Sequence, residues 1–558
     1  MLKLPVASLA RLRWQSRRAL SRLSASRSVC TARGAPDFAR AGLARPLAAL
    51  AAALLVTPGA QAEEPRQPTE PIILNDTAVD LLQVPDAFDV GDPFDVELHL
   101  KFDHEQRSAD VKRETSSSDP GLTNGGYLSD GLLVGSYSES TQRLIPELSV
   151  GVMRELSLHV GLPIILANSR NLRENEPSGS GALEGLPGET LFSLPFDAPT
   201  RSGIEYLAVG ADLGLMNQFR NPTLPNWVIG IEGRFNISEP MHACNANAPT
   251  GQEPCANPAD IDRDGVNDPL GPDFDAPIDD GRNLANEPEG DFEGGRGPGV
   301  SRGTHALEAH AYVSRRVKYV EPYTGINALV EFQTPGSDYG PTDLLGVLVN
   351  HPPVRGSVVA GIAVVPWEQP ENFTRISIDM RVEGTYVSEG RDYSELFDAL
   401  GSSTAESIRY PNFSEYRGNE IASGVLDPVT PSVVDPNSRR VNFTGITDVQ
   451  QHGDYKLQTR FTWQAGQYVK FDLGGAWRII QSHLITFDQS CSPSPLVDIR
   501  DAGPCKVNTS ASAGGTPTWS ATGLPNADYR AVINAPGRRY RVDTSHGFNF
   551  WLRASVLF

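Results

Sequence analysis

His546-Gly-Phe-Asn-Phe-Trp-Leu-Arg-Ala-Ser-Val-Leu-Phe558 closes the chain, and its reading decides the fold. Taken with a period of two, one face carries Phe548, Phe550, Leu552, Ala554, Val556 and Phe558. The other carries Gly547, Asn549, Trp551, Arg553, Ser555 and Leu557. Successive side chains of a strand point to opposite faces, so this segment offers one face to hydrocarbon and a more polar one to water.

Other segments repeat the alternation. Residues 469–479 set Val469, Phe471, Leu473, Trp477 and Ile479 against Lys470, Asp472 and Arg478. Residues 374–386 set Ile376, Ile378, Met380, Val382 and Tyr386 against Arg375, Asp379, Arg381 and Glu383, and 227–237 follow suit around Glu232 and Arg234. A soluble core does not place charges so regularly on the second face of so many strands. Twelve such segments are counted, at about 93–103, 144–152, 156–166, 204–216, 227–238, 304–315, 320–332, 354–366, 373–387, 454–463, 469–487 and 546–558. Their connections alternate between short (153–155, 217–226, 316–319, 367–372, 464–468) and long (104–143, 167–203, 239–303, 333–353, 388–453, 488–545). Short periplasmic turns against long extracellular loops is the rule for outer-membrane barrels. The expectation is an all-β protein: a transmembrane, antiparallel, up-and-down β-barrel of about twelve strands over residues 93–558, with long extracellular loops. Aromatic girdles are expected at Trp227, Tyr319, Trp367, Phe373, Trp463, Tyr468 and Phe558 on the periplasmic side, and at Phe102, Phe332, Tyr386, Phe487 and Phe548 on the outer side. The amphipathic end with its terminal Phe558 resembles the assembly signal of bacterial outer-membrane proteins, which implies the barrel-assembly machinery as a partner.

Composition agrees. The chain has 558 residues with 52 Gly and 44 Pro, a mix suited to turns and loops. Beyond residue 62 no run of 18 apolar residues offers a membrane helix. Near the N-terminus, Arg45 precedes an apolar run from Pro46 to Val56, and Ala60-Gln61-Ala62 fits a small-residue cleavage site. Residues 1–62 read as presequence and signal peptide, and 63–92 as a periplasmic N-terminal segment. The Arg- and Ser-rich stretch 1–43 also fits a transit peptide, but the Ala-Gln-Ala boundary favours export. Without 1–62, 38 bases face 67 acids, a balance that argues against nucleic acid as a partner. The expected surroundings are outer-membrane lipid and lipopolysaccharide.

Two close cysteine pairs remain, Cys244 with Cys255 and Cys491 with Cys505, both expected as disulfides in an exported chain. The acidic loop 239–303 also holds Asp260, Asp262, Asp264, Gly265 and Asp268. Alternate carboxylates closed by Gly suit a hard cation, and the run resembles the calcium loops of EF-hands and thrombospondin type 3 repeats. A structural Ca²⁺ is expected on Asp260, Asp262, Asp264 and Asp268, although the twelfth position is Gly271 rather than Glu.

Residues 147–163 (Glu147-Leu-Ser-Val-Gly-Val-Met-Arg-Glu-Leu-Ser-Leu-His-Val-Gly-Leu-Pro163) read as strand, tight turn and strand, and Gly203–Asp212 follows as another strand. Over roughly residues 140–340 this series resembles outer-membrane proteins of the meta-pathway phenol-degradation transporter type. That resemblance implies a transporter-like barrel and does not fix the solute. Here the strand ends Phe235-Asn-Ile-Ser-Glu-Pro240, where that family often carries Pro-Thr-Gly. No nucleophile elbow, zinc-protease helix or phosphate loop occurs. The leading expectation is a channel that passes a small-molecule solute. A structural or adhesive barrel with a plugged lumen comes second, and a barrel-embedded hydrolase third.

Alternation also assigns the lumen. Glu97, Glu147, Asp212, Glu232, Glu308, Glu321 and Glu331 point inward on strands one to eight, with Lys101 and Arg234. Arg375, Arg381, Lys456, Arg460, Lys470, Arg478 and Arg553 point inward on strands nine to twelve, with Asp379, Glu383 and Asp472. An acidic wall opposite a basic wall is expected to select among solutes by charge.

Overall fold

A computed structural model describes residues 77–558 apart from 90–91, 119–126, 175–181, 186–187, 249–253, 256–295, 335, 340–346, 348, 410–442, 490, 494–506, 509–518, 521–522 and 527. Its centre is a closed antiparallel barrel. In chain order the wall strands are β1 (Val96–Ser118), β2 (Tyr127–Met153), β3 (Leu156–Gly161 and Ile164–Arg173), β4 (Arg201–Ile204 and Leu207–Met216), β5 (Asn226–Phe235) and β6 (Thr304–Ser314). They continue as β7 (Val320–Gln333), β8 (Arg355–Gln369), β9 (Thr374–Val387), β10 (His452–Ala465), β11 (Val469–Ile480) and β12 (Ser545–Leu557). Each pairs with its sequence neighbours, and β12 returns to β1. The seam is closed at the last residue: Val96 N donates to Phe558 O (3.0 Å) and Phe558 N to Val96 O (2.9 Å).

The two faces of the wall differ as the alternation requires. Phe471, Leu473, Trp477, Phe550 and Leu552 are exposed on the outside, whereas Lys470, Asp472, Arg553 and Trp551 are not. On β9 the outward row from Ile376 to Tyr386 spans roughly 33 Å of strand, or roughly 25 Å of bilayer at a tilt near 40°. Trp227, Tyr319, Trp367, Trp463, Tyr468 and Phe558 stand exposed at one rim, and Phe332, Tyr386 and Phe548 at the other. Such a belt is stable only against hydrocarbon with amphipathic rings at its edges, so the barrel spans a membrane. Phe487 departs from the expected girdle; it sits in a loop beneath the Arg539 guanidinium, 5.8 Å from the ring centre.

The largest departure concerns 104–143, expected as a loop. Of these, residues 104–118 and 127–143 instead extend β1 and β2 into strands of 23 and 27 residues. Phe548, at the outer rim, pairs with Gln106, so β1 from Arg107 onward runs above the bilayer. There the alternation inverts. Ala109 and Val111 are buried inside, and Ser108 and Asp110 lie outside in water. Above the lipid the outer face no longer needs to be apolar, so the signature used to find membrane strands vanishes.

The outer end is filled rather than open. Ala109, Val111, Val134, Tyr137 and Leu172 of the wall pack with Leu396, Leu400, Ile408, Val532 and Ile533 of the loops in one apolar core. A short helix, α1 (Phe397–Gly401), lies in this cap. Arg201 of β4 holds it, with Nη2 donating to Asp398 Oδ1 (2.6 Å) and Nη1 to Oδ2 (3.3 Å). The Cys244–Cys255 disulfide is formed beside it, and Cys244 N donates to the same Oδ1 (3.1 Å). Cys505 lies outside the described residues, as does 1–62.

Candidate functional site

The lumen gathers many polar groups away from bulk water, so each inward row is followed from the periplasmic end outward. Residues 77–84, ahead of the first wall strand, lie inside the barrel. Ala78, Val79 and Leu82 pack on Val228, Tyr312, Tyr323, Val359, Ala363 and Val365 of the inner wall. Rings fit there because the facing strands carry glycine: a Cβ on Gly361 would stand 2.4 Å from the Tyr323 ring, and one on Gly325 2.1 Å from the Tyr312 ring.

Polar contacts fix the segment. Glu321 accepts from Thr77 Oγ1 (2.6 Å), Ala78 N (2.8 Å) and Ser314 Oγ (2.6 Å), and is fully buried. Asp80 stands 2.6 Å from Arg460 Nη1 and 2.8 Å from Arg381 Nη2. Lys470 Nζ donates to Gln83 Oε1 (2.9 Å), and Arg375 Nη2 to Thr77 O (3.4 Å). Further along, Gly151 N donates to Asp95 O (2.9 Å), and a Cβ on Gly151 would come within 1.9 Å of Asp86 O. The segment is thus a plug in the periplasmic end. It supplies a carboxylate to Arg381, Arg460 and Arg553, which otherwise face Asp379 and Asp472.

Above the plug the inward charges pair closely. Arg234 bridges Glu232 (2.7 Å) and Glu308. Glu331 meets Arg302 (2.9 Å) and Arg355 (3.7 Å), and Arg478 meets Asp454 (2.6 Å) and Glu105 (3.0 Å). His159 touches Asp212 (3.0 Å) through one ring nitrogen and Glu232 (3.3 Å) through the other, while His310 reaches Asp212 (2.8 Å). Alternation finds these residues but not all of their partners: Arg302 and Glu105 lie in stretches read as loop, and Asp454 opens the strand read at 454–463. Pairing offsets part of the transverse field expected from the two walls. At the periplasmic end Arg375, Arg381, Arg460, Lys470 and Arg553 gather around Asp80, Asp379, Asp472 and Glu368.

Between plug and cap lie adjoining cavities of about 480, 330 and 260 Å³, all bordered by Glu105. Their walls are dominated by Arg, Glu, Asp, Asn and Thr, so they suit water and polar solutes far better than hydrocarbon. Asp260, Asp262, Asp264 and Asp268 lie outside the described residues.

No family model and no curated protein matches the chain. Solved structures with similar folds include an outer membrane channel of Pseudomonas putida F1 (10% identity, TM-score 0.30, covering 85% of this chain and 97% of that one). A Pseudomonas aeruginosa FadL homologue has 10% identity and TM-score 0.28, with 83% and 90% covered. A variant of the TodX monoaromatic hydrocarbon channel has 10% identity and TM-score 0.26, with 86% and 92% covered. At such scores a likeness carries no statement of function, which is read below from the barrel itself.

Proposed function

We propose that this chain is an outer-membrane channel for small polar solutes, closed in its resting form by its own residues 77–84. One observation carries the reading: a membrane-embedded barrel holds a charged, water-sized lumen above a segment that is not part of its wall. A plug held by polar contacts and a small apolar cluster, and not part of any strand of the wall, can leave without breaking any strand pairing. Localisation follows from the same physics, since a closed barrel with an apolar outer belt belongs in an outer membrane. The family resemblance over residues 140–340 fits the transporter reading. The polar cavities argue against carrying a hydrocarbon.

The filled outer end favours a second reading, a structural barrel whose lumen never opens. A hydrolase is less well supported: His159 engages carboxylates through both ring nitrogens, which leaves neither free to activate a nucleophile. Planar-bilayer recordings separate the first two. The channel reading expects conductance that rises when residues 77–84 are deleted. A folded barrel without conductance in either form means that the structural reading holds.

A further inference from the structure

The three cavities are walled by many charges, and with two exceptions every Lys, Arg, Asp and Glu lining them has an ion-pair partner within 4.0 Å. The exceptions are Lys456 of β10 and Glu383 of β9. Among the described residues neither makes an ion pair or a side-chain hydrogen bond. They are direct cross-strand partners in the β9–β10 register, so their Cβ atoms are about 4.5–5.5 Å apart. Both line the 260 Å³ cavity; Lys456 also borders the 330 Å³ cavity and Glu383 the 480 Å³ one. Two opposite charges thus stand side by side, within each other's field but without a direct contact, where the cavities meet.

The geometry points to a binding site for a small zwitterion, a solute with an ammonium and a carboxylate on neighbouring atoms, at Lys456 and Glu383. Lys456 takes the solute carboxylate and Glu383 its ammonium. An ammonium or carboxylate held in a narrow lumen gains from an ionic partner it would not need in open water. A neutral solute gives neither group a partner. A simple anion satisfies Lys456 but sits beside the Glu383 carboxylate, and a simple cation meets the reverse conflict. Paired neighbours such as Arg478 with Asp454 already satisfy each other and do not compete. The inference rests on the channel reading only for how solute arrives; binding itself is independent of conduction.

The test is equilibrium binding to the full-length protein in detergent, by calorimetry or saturation-transfer NMR, with L-alanine, propionate and ethylamine as probes. Alanine is expected to bind about tenfold or more tightly than either single-charge probe. K456Q and E383Q are each expected to weaken alanine by about tenfold, with propionate unaffected by E383Q beyond the relief of repulsion. The swap K456E/E383K keeps both charges and is expected to restore alanine to within about threefold, since the solute can turn around. Absence of alanine binding, alanine no tighter than propionate and ethylamine, or indifference to both single variants overturns the proposal. A barrel that binds alanine but never conducts keeps this site and loses the channel reading. One that conducts without alanine binding does the opposite.

Discussion

Asp80, on a segment outside the wall, stands 2.6 Å from Arg460 of β10, and this contact is the latch of the periplasmic plug. Arg460 and Arg381 are both buried inward residues that also approach Asp379, at 3.6 and 3.1 Å. One carboxylate of the wall is thus shared by two guanidinium groups, and Asp80 supplies the second. Removing it leaves buried cations short of a partner, at a cost of about 2–5 kcal/mol to the closed form. Asp80→Ala is expected to raise the open-to-closed ratio in planar bilayers by about thirtyfold or more, the lower end of that cost. Recordings indistinguishable from wild type would show that the latch lies elsewhere.

Gly151 tests the same closure by shape alone. A Cβ there would collide with Asp86 O at 1.9 Å, two residues past the plug and ahead of the first wall strand. Gly151→Val is therefore expected to displace the segment while the barrel still folds. The expected readouts are raised conductance and faster protease cutting within residues 77–89, with normal heat-modifiable migration. Protection of that segment equal to wild type would contradict the packing described.

The wall was legible in the sequence because lipid and water impose opposite demands on alternate residues. Val469 to Ile479 shows that contrast at nearly every step, and its two faces stand as the period of two assigns them. Beyond Arg107 on β1 the demand disappears, since water lies outside and the cap core inside, and Ala109 and Val111 then read as loop. The plug had no period to reveal it. Thr77 and Ala78 meet Glu321 across more than 240 positions, a contact that local pattern cannot encode. For Lys456 and Glu383 the face was legible, but their lack of partners was not. That depends on which long side chains reach which carboxylates once the barrel closes.

In the cap, Asp448 gives a pH dependence. Burial, reinforced by the neighbouring Asp488 carboxylate, pushes the Asp448 carboxyl well above the usual range, and Arg391 does not outweigh this. In the unfolded chain it ionises near pH 4, roughly. The raised value means the folded cap favours the protonated form. Its stability is thus fully present below the unfolded value and declines as pH rises towards the raised one. Hydrogen exchange of residues 443–449 on the intact barrel is expected to quicken from about pH 5 to pH 8 beyond the intrinsic base-catalysed trend. Asp448→Asn is expected to remove that excess. An identical pH profile in the variant would show that the carboxyl is not responsible.

The last prediction concerns charge selection at the plug site itself. With residues 77–84 withdrawn, Arg375, Arg381, Arg460, Lys470 and Arg553 lose Asp80 and keep Asp379, Asp472, Glu368 and Glu97 as the acids near them. Withdrawal takes the Asp80 charge away from among these cations, and a narrow, low-dielectric passage makes that change felt by each passing ion. Arg381→Glu with Arg460→Glu reverses two of these charges and also repels Asp80, so one double variant should act twice. It is expected to lose the closed state, and the open channel is expected to shift its reversal potential towards cations in a salt gradient. The two effects separate cleanly when the background already lacks residues 77–84, because the plug can then contribute nothing. A selectivity unchanged in that background would place the governing constriction higher in the lumen, among the paired charges around Glu105, and not at the site Asp80 fills.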